Sequence, residues 1–199
     1  DEKLRFCIFE VPLSEIDHLD CGVRLKDERV LIKDLKTVSG KNYEIVEQGM
    51  VKGSLQYIDR KYTFGEMPAY LSGQTLIRTA GNDKMYEEDE LCFSFVLTRP
   101  GVVYVLHGNT FPQRPAWLNE YRNAGGKVLR PLEDDARGMS FSIFSRNFAP
   151  GLIELNGDLP KGFLTPPFRN NGGAGYCMYS VVVGEVGGDV HADQPQVGL

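Results

Sequence analysis

Leu91-Cys92-Phe93-Ser94-Phe95-Val96-Leu97, the break Thr98-Arg99-Pro100, and Gly101-Val102-Val103-Tyr104-Val105-Leu106-His107 decide how this sequence folds. In the first run Phe93, Phe95 and Leu97 recur at a period of two, which puts them on one face of a strand. The second run is apolar on both faces, as a central strand of a sandwich should be. Arg99-Pro100 with Gly101 punctuates the two runs and suggests a hairpin.

Working outward, the same pattern of short β-branched and aromatic runs between Gly and Pro repeats along the chain. Leu4 to Val11, Arg29 to Leu35, Tyr43 to Val46 and Leu55 to Ile58 are candidate strands on the N-terminal side. Phe141 to Phe144, Gly151 to Leu155 and Tyr176 to Val183 follow on the C-terminal side. Helical periodicity is poor. Pro12 to Leu19 and Trp117 to Asn123 each suffice for a turn or two, and Gly125-Gly126 stops the second. The expectation is an all-β chain, an antiparallel two-sheet β-sandwich with few short helical turns. Residues 1–184 read as one such domain, with 1–48 a candidate N-terminal extension that adds strands. Residues 185–199 have almost nothing to bury and read as a flexible tail.

The chain has 199 residues, 42% of them hydrophobic and 25% charged, enough for a sizeable core. Lys+Arg 22 against Asp+Glu 27 gives a net charge of -5. That balance argues against a nucleic-acid coat and gives no attraction to anionic membranes. No apolar run approaches the ~20 residues of a membrane helix, so membrane insertion is not expected. Asp1-Glu2-Lys3-Leu4 does not read as a signal peptide; either a leader is removed or none exists. The four cysteines Cys7, Cys21, Cys92 and Cys177 include no Cys-X-X-Cys pair, so they read as two disulfides in a secreted protein. Four buried thiols are the alternative. Three connectivities are open, of which Cys7–Cys21 with Cys92–Cys177 is the expected one.

The segment from about Gly49 to Gly184 carries a series of phrases in a specific order. These are Tyr57-Ile58-Asp59-Arg60-Lys61-Tyr62-Thr63-Phe64, Met67-Pro68-Ala69-Tyr70-Leu71, Ile77-Arg78-Thr79-Ala80-Gly81-Asn82-Asp83-Lys84 and Val103-Tyr104-Val105. Arg114-Pro115-Ala116-Trp117-Leu118, Ser145-Arg146-Asn147-Phe148-Ala149-Pro150-Gly151 and Met178-Tyr179-Ser180-Val181-Val182-Val183 complete it. The order resembles a jelly-roll β-sandwich accessory module of secreted multidomain proteins, similar to carbohydrate-binding modules. The resemblance implies the fold, a non-catalytic recognition role and a glycan ligand, with an extracellular protein partner as the alternative. One departure stands out. Such modules carry an Asp and an Arg between the Val-Tyr-Val strand and the Pro-Ala-Trp-Leu phrase, where this sequence runs into His107-Gly108-Asn109.

Several residues carry candidate chemistry, each beside a plainer reading. Trp117, the single tryptophan, could stack on a sugar ring, and equally could plug one end of the core. Asp59, Arg60 and Lys61 beside Tyr57 and Tyr62 could bind sugar hydroxyls, or make structural ion pairs. His107 and Arg114 join Asp59, Arg60, Tyr62 and Trp117 as ligand-binding candidates. Asp83 and Glu87, in an acid-rich loop, could hold calcium, the one cofactor the sequence suggests, although the spacing is not that of an EF-hand and a solvated hairpin tip is the simpler reading. His107 with Ser140 or Ser145 lacks a Gly-X-Ser-X-Gly context. Gly172-Gly173-Ala174-Gly175 lacks the Lys and Ser/Thr of a phosphate loop. No catalytic residues are expected. A structural or adhesive domain and a polysaccharide-active enzyme are the competing readings.

Overall fold

The structure, a computed structural model, describes residues 31–131, 138–163 and 175–186, all within the unit Leu31–Leu199. It is all-β. Among the described residues nine strands run β1 Ile32–Thr37, β2 Glu44–Val46, β3 Thr75–Arg78, β4 Leu91–Leu97, β5 Gly101–Gly108, β6 Arg122–Leu129, β7 Ser140–Phe148, β8 Gly151–Asn156 and β9 Ser180–Glu185. They form a three-stranded sheet, β1-β4-β8, and a six-stranded sheet, β2-β3-β9-β5-β7-β6, antiparallel at every pairing. The helical content of the described residues is three short 3-10 turns, at Ala69–Leu71, Gly81–Met85 and Ala116–Glu120.

Strand β4 behaves as its period dictates. Phe93, Phe95 and Leu97 are buried, and Phe93 stacks on Phe95 and on Tyr179 at ring-centroid distances of 6.3 and 6.1 Å. Tyr104 and Val181 are buried too, at 5% and 0% exposure. Each such side chain contributes about 1.5–3 kcal/mol of transfer free energy. The run over β5 is buried throughout, and the register explains why. Val105 pairs with Val181, while Tyr104 pairs with Val182 and Ser145 on the opposite face. Tyr179 shares the Val181 face by alternation and meets Phe93, so that face looks toward the three-stranded sheet. On the other face Tyr104 meets Tyr70 at 5.8 Å, and Ser180 accepts a 3.1 Å hydrogen bond from Gln56. The connection 47–74 therefore covers the outer face of the six-stranded sheet. A strand buried on both faces loses the apolar–polar alternation.

The hairpin expected at Arg99-Pro100 does not form. β4 and β5 belong to different sheets, and the Pro-containing break carries the chain across the sandwich. Ala149-Pro150 does the same between β7 and β8. Proline cannot donate to a ladder, so it ends one strand and leaves the next free to join another sheet. Leu55 to Ile58 is not a strand; Leu55 and Tyr57 make isolated bridges to Thr63 and Thr79. The turn expected over Trp117 to Asn123 stops at Glu120, and β6 runs through Gly125-Gly126. Both glycines have positive φ, 79° and 73°, where the β6–β7 register shifts between Asn123 and Lys127. The pair makes a bulge in the strand rather than its end.

Strands β1 and β2 lie within residues 31–48, and β9 runs to Glu185. The candidate elements Leu4 to Val11 and Pro12 to Leu19, and Cys7 and Cys21, lie outside the described residues. The expected Cys92–Cys177 disulfide is corrected: both are free, buried thiols in different surroundings. Cys92 Sγ lies 3.8 Å from the Tyr43 hydroxyl, and Cys177 Sγ lies 3.1 Å from Met139 Sδ. Burial pushes each thiol up to about 12.

Candidate functional site

The connection 47–74 brings the Tyr57–Tyr62 phrase against the end of the six-stranded sheet where β9 begins. Tyr57 donates from its hydroxyl to the Met178 carbonyl at 2.6 Å, and Ile58 N–H bonds the Thr79 carbonyl. Arg130, just past β6, is 3% exposed. Its guanidinium carbon sits 4.1 Å from the Tyr62 ring centroid, 5.5 Å from Phe141 and 6.0 Å from Tyr57. Its Nη2 donates to Gln56 Oε1 at 2.8 Å, and Gln56 is held in turn by Ser180. A buried guanidinium is costly to desolvate, and three aromatic faces with a fixed amide offset that cost. Burial also raises the Tyr57 hydroxyl far above the ordinary phenol value, so it stays neutral.

Tyr57, Tyr62 and Arg130 wall a cleft of about 230 Å³, open to solvent beside the exposed Arg60 and also lined by Lys84, Met139, Tyr176 and Cys177. Asp59 buttresses it without lining it. Its carboxylate accepts from the backbone N–H of Gly81 at 2.7 Å and of Asn82 at 3.2 Å, tying the phrase to the turn Gly81–Met85. Arg60 lies 3.6 Å from that carboxylate and donates to Asn82 Oδ1. Of the sequence candidates, Arg60 and Tyr62 thus share one cleft, and Asp59 plays the structural part.

The other candidates fall elsewhere. Trp117 packs edge-on against Tyr121 and Tyr179 at 5.8 and 5.6 Å and donates from Nε1 to the Gly157 carbonyl at 2.8 Å. It closes one end of the core, while its edge lines a cleft of about 180 Å³ with Glu120, Tyr121, Arg146, Phe148, Glu154 and Asn156. Glu120 is ion-paired to Arg146. His107 and Arg114 share a third cleft of about 300 Å³ where β5 ends. His107 makes no hydrogen bond to Ser140 or Ser145; Ser140 accepts from Asn109 Nδ2 at 2.9 Å and Ser145 from Arg122 Nε at 3.2 Å.

Asp83 and Glu87, the residues that suggested calcium, line none of these three clefts. The Asp83 carboxylate is 3% exposed and is used up by Lys41, by the Ser39 hydroxyl at 2.7 Å and by the Tyr43 hydroxyl at 2.7 Å. The backbone of Glu87 bridges to Leu159, and no group of three or more metal-type ligands occurs among the described residues. No helix among the described residues is long and apolar enough to cross a membrane.

Sequence reasoning missed Arg130, Lys84 and Tyr176. A lone arginine before Pro131 looks like any solvated charge at a strand end. What marks it is a tertiary contact, Tyr62 lying across its guanidinium, which no local pattern carries.

With this geometry in place, comparison with known proteins gives the following. No protein-family profile matches the chain. It is 28% identical over 109 residues, 54% of its length, to a β-glucuronidase of Formosa agariphila. The match covers 10% of that protein, so the chain spans about a tenth of its relative's length. Among solved structures it is similar to a β-glucuronidase from glycoside hydrolase family 2, with TM-score 0.58 and 24% identity, over 76% of this chain and 14% of that one. This likeness shows the sandwich fold. A GH138 enzyme targeting pectin rhamnogalacturonan II aligns over 78% of this chain and 18% of that chain, with a TM-score of 0.37 and 17% identity, too low to bear on the argument.

Proposed function

We propose that this chain is a non-catalytic glycan-recognition module of a larger carbohydrate-active protein, and that it holds sugar in the Arg60–Tyr62–Arg130 cleft. The observation that carries this is the cleft's make-up. Rigid aromatic rings stand beside fixed polar groups, in an open concavity of about 230 Å³ that accepts one sugar ring rather than a drug-sized ligand. A pyranose needs such a pair of surfaces: an apolar plane for its C–H face and directed donors for its hydroxyls. Arg60 supplies donors at the rim, and Tyr62, pinned by Arg130, supplies the plane.

The similarity to a stretch of a β-glucuronidase supports a setting within a glycan-active protein. A binding role rather than cleavage is supported by the described residues lining the cleft, among which there is no carboxylate pair of the kind that hydrolyses glycosidic bonds. A secreted location fits this reading, since polymeric glycans lie outside the cell.

Affinity electrophoresis through gels cast with individual polysaccharides tests the proposal. Retardation by at least one of them is expected, weakened about tenfold in Arg60→Ala, whose side chain is exposed, and more in Tyr62→Ala. Unretarded migration in every gel would overturn it. Turnover of a polysaccharide by the purified chain would overturn the non-catalytic half.

A further inference from the structure

The third cleft, of about 300 Å³, combines apolar and polar walls. Phe111 and Phe144 give it apolar walls; His107, Asn109, Arg114 and Ser142 give it polar ones. Arg114 is the single charged residue among the described residues lining it. Its Nε donates to Asn119 Oδ1 at 2.8 Å and its guanidinium carbon lies 5.2 Å from the Phe144 ring centroid. The plane of the guanidinium is thereby held, and among the described residues no carboxylate forms an ion pair with it. Asn109 is fixed as well, accepting from Ser142 Oγ at 2.7 Å while donating to Ser140.

The second observation is independent. His107 is 5% exposed, and its buried Nε2 has no hydrogen-bond partner among the described residues. A buried polar atom left unpaired is destabilising, and folds rarely keep one without use. Desolvation first, and the nearby Arg114 second, hold the imidazole near a pKa of about 4, so it is neutral at physiological pH. The two clefts also share a wall. Phe111 of this cleft packs at a tilt against Tyr176 of the Arg60–Tyr62–Arg130 cleft at 4.8 Å, and against His107 at 5.1 Å.

We propose that the His107–Arg114 cleft is a second sugar subsite, which takes the anionic group of an acidic saccharide on the Arg114 guanidinium and a ring hydroxyl on His107. The anion is a carboxylate or a sulfate ester, since a fork of guanidinium N–H groups matches both. The proposal deepens the glycan reading: a chain lying across the Phe111–Tyr176 wall places neighbouring units in the two clefts.

The test is a solution NMR titration of the whole chain with glucuronic acid, glucose 6-sulfate, glucose and sodium sulfate. The imidazole signal of His107 is followed alongside the Tyr62 ring. An acidic sugar is expected to shift His107 at about tenfold lower concentration than glucose, and Arg114→Gln to erase that preference. Glucuronic acid acting ahead of glucose 6-sulfate assigns the carboxylate; the reverse order assigns the sulfate ester. Equal response to glucose and to both acidic sugars, or a preference that survives Arg114→Gln, overturns the proposal. Sodium sulfate matching glucose 6-sulfate, with glucuronic acid silent, also overturns it, because the site would then hold a bare ion. Silence of Tyr62 toward every sugar while His107 responds overturns the first cleft instead and leaves this one standing.

Discussion

Replacing His107 by Gln removes one titration from the protein, and the structure sets its size. The neutral imidazole is buried, with a pKa lowered from 6.5 to about 4. Its folded pKa lies below the unfolded one, so the unfolded chain binds the proton more readily. The neutral histidine's contribution is therefore complete above pH 6.5 and is lost as pH falls from 6.5 to about 4. A shift of one unit corresponds to about 1.4 kcal/mol, so the full loss is roughly 3 kcal/mol. Below about pH 4 both states are protonated and the loss stops growing. Urea unfolding of the wild type and His107→Gln at half-unit steps from pH 4 to pH 7.5 isolates this term, because every other titration is common to the pair. The stability difference between them should move by about 3 kcal/mol in favour of the variant as pH falls across that range. A difference independent of pH would refute the burial of a neutral His107 and, with it, the argument for its unmade hydrogen bond.

Asp158 predicts the opposite sign. It is fully buried and neither carboxylate oxygen has a hydrogen-bond partner among the described residues, although the backbone N–H groups of Asp158 and Tyr179 lie near enough to soften the shift. Desolvation raises its pKa, so the wild type loses stability as pH rises above the ordinary carboxyl value near 3.8. Asp158→Asn should melt higher than wild type at pH 8, with the gap narrowing toward pH 4; a gap that widens toward acid would contradict this. Gly108→Ala places a methyl 2.9 Å from Cys177 Sγ, which should cost about 1–3 kcal/mol in denaturant unfolding. Cys177→Ala should recover part of that loss, and an undiminished cost in the double variant would count against the contact. In a chain with Cys7→Ser and Cys21→Ser, a thiol reagent should find no reactive cysteine in the native state and two in guanidinium; none in guanidinium would restore the Cys92–Cys177 disulfide.

The legibility of the fold followed the one-sidedness of its strands. Phe93, Phe95 and Leu97 face a single core, so a period of two was enough to place β4. The same pattern could not tell a hairpin from a sheet switch at Arg99-Pro100, because proline ends a ladder in both cases. Neither could it place the third layer, since a doubly buried β5 looks alike whether a sheet or the connection 47–74 covers it. Gly125-Gly126 reads as a stop from propensity, yet the β7 partner and the bulge keep β6 going. The site was legible in pieces. Arg60 and Tyr62 are near in sequence and share a cleft, but Arg130 reaches Tyr62 only through the fold. Cysteine counting misled because Cys92 and Cys177 act here as small buried hydrophobes.

Co-crystallisation with an oligosaccharide that retards the chain most strongly would place the ligand directly. The account predicts a sugar ring lying on Tyr62, with Arg60 donating to its hydroxyls and the chain continuing over Tyr176 toward His107. Density for the sugar on the exposed face of the three-stranded sheet, with the Arg60–Tyr62–Arg130 cleft filled only by water, would contradict it.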